Sequence, residues 1–209
     1  ELSGDKSGWS VSLSSDGSVV AIGAPWNDGN GNESGHVRIY KNINNTWTQV
    51  GSDIDGEAAG NDSGRSVSLS SDGSVVAIGS PSISQRNDTS DSNGAGYSGH
   101  VKIYQNINDT WTQVGSDIDG EAANDLSGIS VSLSSDGSIV AIGATANDGN
   151  GISSGHVRIY KNVNNIWTQV GSDIDGEALY DYSGFSVSLS DDGSIVAIGA
   201  YGNDGNGIN

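Results

Sequence analysis

Four copies of one segment follow one another along the chain, and this repetition restricts the folds that the sequence can adopt. Each copy starts with a glycine, and a Ser-Val-Ser-Leu-Ser pattern begins two residues after it. These glycines are Gly8, Gly64, Gly128 and Gly184. The copies begin 56, 64 and 56 residues apart, and eight additional residues between Ser80 and Ser98 account for the longer interval. A fixed period of this length is typical of stacked or radial repeat architectures, whose units bury their apolar faces against each other.

Each copy has the pattern of four short strands. In the first copy, Val11 and Leu13 alternate with serines, which indicates a half-buried strand, and Asp16 with Gly17 is a common hairpin turn. No window shows apolar residues at helical spacing, and Gly, Ser, Asn and Asp interrupt the chain every few residues. The predicted strands of the first copy contain Ser10–Ser14, Val19–Ile22, Gly35–Tyr40 and Thr46–Val50.

Four antiparallel strands in a unit of about 56 residues predict an all-β fold, a β-propeller made of four-stranded antiparallel blades. We expect residues 1–209 to form a single partial β-propeller. Its blades are predicted roughly at residues 8–50, 64–114 and 128–170, with a half blade at 184–209. The predicted core contains Val20, Ile22, Val37, Ile39 and their equivalents.

Such an arc of blades leaves its ends open. Three and a half blades expose an unpaired strand edge and apolar faces at both ends, which is an aggregation risk. We therefore expect further blades of the same parent chain, or self-association, to cover these open edges.

The charge of the chain restricts its partners. With 26 acidic and 8 basic residues the formal net charge is −18, which excludes nucleic acid as a partner because phosphate contacts need clustered Lys and Arg. The same charge also argues against binding of the chain to anionic membrane surfaces. No run of 18 apolar residues occurs, so we expect no membrane insertion in this segment.

The motifs of the repeat resemble a known family. Val-Ala-Ile-Gly-Ala-Pro at Val20–Pro25 and Gly-His-Val-Arg-Ile-Tyr at Gly35–Tyr40 resemble the FG-GAP repeat of integrin-α-like β-propellers. The resemblance implies a β-propeller at an extracellular or cell-surface location that acts in adhesion or ligand recognition. Many FG-GAP repeats also carry an Asp-rich calcium loop between the first two strands. Here the corresponding turn, Ser14–Ser18, has one carboxylate, too few for the six to eight oxygen ligands of calcium, so this site is predicted to be lost.

Two other acidic motifs recur, and each has two interpretations. Asn27–Gly31 has the Asp-x-Asn spacing of a calcium loop and is repeated from Asn147, but it is also a Gly-rich turn. Asp53–Glu57 places carboxylates at alternate positions, which suits either a cation loop or a solvated connector. If Ca²⁺ is bound, the candidate ligands are Asp28, Asn30, Asp148 and Asn150.

Two aromatic positions are also repeated. His36 and its equivalents His100 and His156 lie on third strands of different blades, too far apart to share one metal ion, and are predicted to pack or to form hydrogen bonds. Trp47, Trp111 and Trp167 are predicted to close the gaps between blades, with stacking on sugar rings as the alternative.

The candidate binding residues lie outside the repeat. Arg86 and Tyr97 belong to the long loop of the second blade, and Trp26 is an aromatic residue of the first blade alone. Because loops on a rigid scaffold often carry recognition, these three are candidate contacts for a protein or glycan ligand. Asn44 and Asn108 are candidate glycosylation sites if the host glycosylates.

No catalytic motif is evident in the sequence: there is no nucleophile elbow, Walker motif or zinc motif, and no cysteine. Together with the FG-GAP resemblance, this predicts a non-enzymatic extracellular module for recognition, adhesion or structural scaffolding. A glycan-binding, lectin-like propeller is the alternative. An enzyme with a site at the propeller axis is the less favoured third interpretation.

Overall fold

A computed structural model describes residues 2–83 and 97–205, and every named element in these ranges is a β-strand. The all-β prediction is confirmed. The strands are β1 (Ser10–Leu13), β2 (Val19–Ala24), β3 (His36–Ile43), β4 (Thr46–Gln49), β5 (Ile54–Asp55), β6 (Ser66–Leu69), β7 (Val75–Ser80), β8 (His100–Ile107), β9 (Thr110–Gln113), β10 (Ile118–Asp119), β11 (Ser127–Leu133), β12 (Ile139–Ala144), β13 (His156–Val163), β14 (Ile166–Gln169), β15 (Ile174–Asp175), β16 (Ser183–Leu189) and β17 (Val196–Ala200).

The strands form three similar antiparallel sheets and a two-stranded one, which confirms the β-propeller prediction. The first sheet has the order β1-β2-β3-β4, and the second and third repeat it with β6 to β9 and β11 to β14. The remaining sheet contains β16 and β17. The first strands of successive sheets, β1, β6, β11 and β16, contact each other, so they line the inner side of the arc.

Each full blade also has a fifth, very short strand that the sequence analysis did not predict. β5 pairs with β3 in antiparallel register, His36 opposite Asp55 and Val37 opposite Ile54, and β10 and β15 do the same in their blades. The Asp53–Glu57 motif is therefore neither a free connector nor a curled loop. It is held against the third strand, which brings its carboxylates next to the histidine.

The hydrophobic core lies between the blades. In β2, Val19 and Ala21 point towards the second blade and pack in one cluster with Val67, Leu69 and Ile78. An equivalent cluster joins the second blade to the third. Because successive side chains of a strand point to opposite faces, each central blade contributes one set of side chains to each neighbour.

The exposure of equivalent residues follows from this arrangement. Val37 and Ile39 are buried as predicted, but Val20 and Ile22 are only half-buried, although their equivalents in the next two blades are fully buried. Both side chains point away from the second blade.

On the same open face Val11 is 63% exposed, whereas its equivalent Val67, covered by the first blade, is 9% exposed. At the opposite end Ile195 is exposed. The predicted apolar end faces are thus confirmed.

Serine hydroxyls connect the inner strands. The Ser10 hydroxyl donates to the Gly64 carbonyl at 2.7 Å, and the Ser12 hydroxyl accepts from the Leu69 amide at 2.9 Å. The same pair of hydrogen bonds recurs at the next two junctions. The polar positions of the alternating Ser-Val-Ser-Leu pattern therefore contact the backbone of the neighbouring blade.

The glycine of Val-Ala-Ile-Gly is required by the close approach of two blades. A Cβ added to Gly79 would overlap the backbone carbonyl of Gly128, and Gly23 and Gly143 have the same relation to the next blade. The backbone at Gly79 has no positive φ, so the restriction is steric. At Gly199, where no further described blade follows, an added Cβ would meet only the Ser186 side chain.

We predict that Gly79→Ala lowers the free energy of unfolding by about 2 kcal/mol or more, because a methyl group forced against a backbone carbonyl overpacks the junction. The matched substitution Gly199→Ala should cost clearly less, since the Ser186 hydroxyl can rotate away. Urea unfolding of both variants measures the difference. An equal decrease in the free energy of unfolding of the two variants would show that the contact between blades is not the reason for a glycine at position 79.

We predict that aspartates in the hairpin turns make an acid-dependent contribution to the stability of the fold. Hydrogen bonds from the Ser18 amide and the Ser14 hydroxyl hold the pKa of Asp16 at about 2, and the Ser194 amide and hydroxyl hold that of Asp192 at about 2. Because both values lie below the ordinary 3.8, the turns contribute stability above that pH and lose it as the pH falls through about 2. Carbon-13 titration of the carboxyl groups measures these values.

The control for this titration lies within the chain. Replacing Ser190 and Ser194 together by alanine removes the two hydroxyl donors to Asp192, so its pKa should rise while that of Asp16 stays at about 2. An unchanged Asp192 titration in this variant would mean that the hydroxyl groups do not shift the carboxyl pKa.

Candidate functional site

A cleft opens at each of the two junctions between complete blades. The first has a volume of about 360 Å³ and the second about 380 Å³. The two linings are identical except that Asp109 and Thr110 of the first cleft are Asn165 and Ile166 in the second. The first cleft is lined by Gly51, Ser52, Asp53, Ile54, Asp55, Tyr104, Asp109, Thr110 and Trp111.

The tryptophan of each cleft joins two blades. Trp111 lies in β9, and its indole N–H donates to the Val50 carbonyl of the preceding blade at 2.9 Å. Trp167 makes the same bond to the Val114 carbonyl at 2.8 Å. The prediction that these tryptophans close the gaps between blades is confirmed at both positions. Trp47, whose face has no described blade against it, is 46% exposed.

Carboxylates form the polar side of the first cleft. The Arg38 guanidinium donates to Asp53 Oδ2 at 2.9 Å and the Gln49 amide donates to Oδ1 at 2.6 Å. The hydrogen bond from Arg38 lowers the pKa of Asp53, so this group is ionised. Asp55 and Asp109 line the same cleft and are exposed. Burial raises the pKa of Tyr104, which keeps its hydroxyl protonated as a hydrogen-bond donor.

Two of the repeated histidines, His36 and His156, each lie close to two carboxylates. Nδ1 of the buried His36 is 3.8 Å from Asp53 Oδ2 and 3.9 Å from Asp55 Oδ1. Nδ1 of His156 is 3.9 Å from Glu121 Oε2 and 4.0 Å from Asp173 Oδ2. Burial lowers the pKa of His156, and the neighbouring Arg158 adds to this effect. The packing prediction is correct in that both rings are buried, but it missed the carboxylates, which come from segments distant in sequence.

The candidate calcium ligands take part in the hydrogen bonds of their own loops. Asp28 Oδ1 accepts from the Glu33 amide at 2.8 Å, and the Asn30 side-chain amide donates to the Gly56 carbonyl at 2.8 Å. Asp148 and Asn150 make the equivalent bonds. These contacts are those of an ordered Gly-rich turn. Calcium binding at these four residues stays a prediction.

Of the three candidate ligand contacts, the two that the structure describes lie away from the clefts. Arg86 lies outside the described residues. Tyr97 is partly buried and Trp26 is 38% exposed beneath the Lys6 ammonium, and neither lines either cleft. The possible glycosylation sites Asn44 and Asn108 are exposed at the hairpin turns that follow β3 and β8.

The described part of the chain contains no helix long and apolar enough to cross a membrane.

Solved structures share the fold at low sequence identity. A candidate 6-phosphogluconolactonase from Bacteroides fragilis NCTC 9343 matches with a TM-score of 0.53 and 12% identity, over 90% of this chain and 40% of that one. A second, from Bacteroides uniformis ATCC 8492, gives 0.57 and 13%, over 90% and 46%. Hydrazine synthase of Kuenenia stuttgartiensis gives 0.57 and 13%, over 91% and 55%. The chain thus spans about half of these proteins or less.

These comparisons correct the predicted function. The prediction of a non-enzymatic module for adhesion, recognition or scaffolding is wrong: the structural neighbours include enzyme-type propellers and give no support to an adhesion role. The error has a physical reason. A propeller can assemble a site from side chains of several blades, so the absence of a local catalytic motif does not exclude an enzyme.

The family comparison agrees with the motifs of the repeat. No curated protein sequence gives a significant match to the chain. Residues 1–40 match the FG-GAP repeat. The matched segment contains β1, β2 and the start of β3, so the comparison identifies an FG-GAP repeat in the first blade of this β-propeller.

Proposed function

We propose that the chain is part of an enzyme-type propeller that binds an uncharged saccharide as substrate in the clefts between its blades. One observation carries this proposal: the same aromatic and carboxylate-lined cleft is built twice, at successive junctions, from nearly identical residues. Two equivalent clefts suit a substrate with repeated units, such as an oligosaccharide.

The lining of the first cleft matches the chemistry of a sugar ring. Trp111 and Tyr104 offer flat apolar surface, which packs against the C–H face of a pyranose. Asp55 and Asp109 offer exposed carboxylate oxygens, which accept hydrogen bonds from sugar hydroxyls and form stronger bonds than neutral acceptors do. Backbone and hydroxyl groups at Gly51 and Ser52 add further polar contacts.

Charge favours an uncharged sugar over a phosphorylated one. The first cleft has three carboxylates, Asp53, Asp55 and Asp109, and the whole chain has a formal net charge of −18. A phosphate group placed there would be repelled. We therefore do not extend to this chain the phosphorylated substrate in the name of the two Bacteroides proteins. What the comparison with them supports is an enzyme-type propeller that acts on a sugar derivative.

Titration with neutral sugars tests the binding part of the proposal. Glucose, galactose, N-acetylglucosamine and cellobiose are each added while the indole N–H signals are followed by NMR. At least one sugar should shift the signals of Trp111 and Trp167 in a saturable way and leave Trp47 unchanged, since Trp47 lines neither cleft. Glucose 6-phosphate should bind more weakly than glucose. Equal shifts at Trp47, or none with any sugar, would contradict the proposal.

Reciprocal variants test whether the cleft carboxylates bind the sugar. Asp55→Asn removes the charge from the first cleft and should weaken binding reported by Trp111 about tenfold, the effect of losing roughly 1.4 kcal/mol from a charge-assisted hydrogen bond. Binding reported by Trp167 should be unchanged. Asp119→Asn is the matched variant of the second cleft and should give the reverse pattern.

The enzymatic part of the proposal needs its own measurement. The protein is incubated with the same sugars as lactones and as aryl glycosides, and product formation is followed. Turnover that falls in the double variant Asp55→Asn, Asp119→Asn supports the proposal. Turnover absent from both substrate classes, or unaffected by the double variant, argues against an enzyme site in the clefts.

A further inference from the structure

We propose that the third blade contains a binding site for a divalent transition-metal cation of the zinc type, formed by His156, Glu121 and Asp173. This site lies outside both saccharide clefts, because none of its three residues lines them. It also differs in place from the calcium loop of the family resemblance, since His156 lies in the third strand of its blade and not in the turn between the first two.

The first reason is an unsatisfied buried nitrogen. His156 is 1% exposed, and its Nδ1 atom has no hydrogen-bond partner within the part of the chain that the structure describes. A buried polar atom without a partner is costly, and native proteins rarely leave one. This atom faces Glu121 Oε2 and Asp173 Oδ2, which are too distant for hydrogen bonds at 3.9 Å and 4.0 Å.

The second reason is the spacing of the three atoms. The imidazole nitrogen and the two carboxylate oxygens all lie within 4.8 Å of one another. Ligands about 2.1 Å from a zinc ion lie roughly 3.4 Å apart in tetrahedral geometry. Small rotations of the two carboxylates, one exposed and one half-buried, would therefore bring all three atoms to a central cation.

The third reason is that the two oxygens facing His156 remain available. The Arg158 guanidinium donates to the Asp119 carbonyl at 2.6 Å and lies 3.6 Å from Glu121 Oε1, the other oxygen of that carboxylate. The Gln169 amide donates to Asp173 Oδ1, again the other oxygen. Among the described residues, no hydrogen bond reaches Glu121 Oε2 or Asp173 Oδ2.

The other two blades show what occupies the equivalent position. In the first blade, Arg38 donates through two nitrogens to Asp53 Oδ2, the oxygen that faces His36. In the second blade the Lys102 ammonium contacts Glu57 and lies 3.5 Å from Asp117 Oδ2. In both blades a side-chain cation thus contacts the carboxylate equivalent to Asp173, which makes the first blade a natural control for the third.

The ligand set determines the class of cation. One imidazole nitrogen with two carboxylate oxygens is a mixed N/O set, which suits Zn²⁺ and similar transition-metal ions, with water completing the coordination. Calcium takes six to eight oxygen ligands and would gain little from the imidazole.

Cobalt and zinc test the site directly. Chelator-treated protein is titrated with Co²⁺, and its visible absorption reports ligation by nitrogen and oxygen at low coordination number; Zn²⁺ is titrated by calorimetry. We expect one equivalent of each ion to bind and Zn²⁺ to raise the melting temperature. His156→Gln should abolish the cobalt band and weaken Zn²⁺ binding at least tenfold. His36→Gln, the matched variant of the first blade, should leave both unchanged.

A second pair of variants keeps the test valid if His156→Gln unfolds the protein. Glu121→Gln and Asp173→Asn change side chains that are not buried, and an unchanged amide NMR spectrum would show that the fold is intact. Their combination should also abolish the cobalt band. Metal binding that is absent from the unmodified protein, that survives this double variant, or that is lost equally in His36→Gln would overturn the proposal. Survival in the double variant would indicate diffuse binding to the acidic surface, and equal loss in His36→Gln would show that the effect is not specific to the third blade.

Discussion

The close approach of inner strands from successive blades is the contact on which the rest of this structure depends. A glycine at the end of each second strand lets the carbonyl of the next blade approach, and serine hydroxyls of the first strands bond to that blade's backbone. These contacts fix the distance between sheets, so the valines, leucines and isoleucines between them pack as one layer. Each blade is thereby stabilised by its neighbours, as expected of repeats that cannot bury their apolar faces alone.

The same spacing creates the clefts. Towards the outer strands the sheets are held apart, and one tryptophan per junction spans the gap with a hydrogen bond to the preceding blade. Because Trp111 and Trp167 are fixed at their N–H atoms and partly exposed, each serves as both a structural link and a wall of the cleft. The two sequence-based interpretations of these residues, packing between blades and contact with a sugar, are therefore compatible.

The sequence predicts the blades well because the information is local. Alternation of period two with Asp-Gly turns, repeated four times, defines the strands. The short strand β5 was missed because a strand of only two residues, Ile54 and Asp55, is too short to show the alternation of apolar and polar residues. Its pairing with β3 is also not local in sequence. The histidine cluster was missed for a related reason. Comparing equivalent histidines between blades could not show that Glu121 and Asp173 approach His156 from segments on either side of its blade.

The full blades share one strand order but differ in their charged side chains, which allows them to differ in chemistry. Each full blade gathers carboxylates around the histidine of its third strand, and in a chain with a formal net charge of −18 such a group is favoured by a nearby cation. Arg38 and Lys102 supply that cation in the first two blades. Arg158 instead directs its shortest hydrogen bond to a carbonyl, so two carboxylate oxygens are left facing His156. The direction of the Arg158 side chain, compared with that of Arg38 at the same position, therefore distinguishes the blade proposed to bind a metal ion from the first blade.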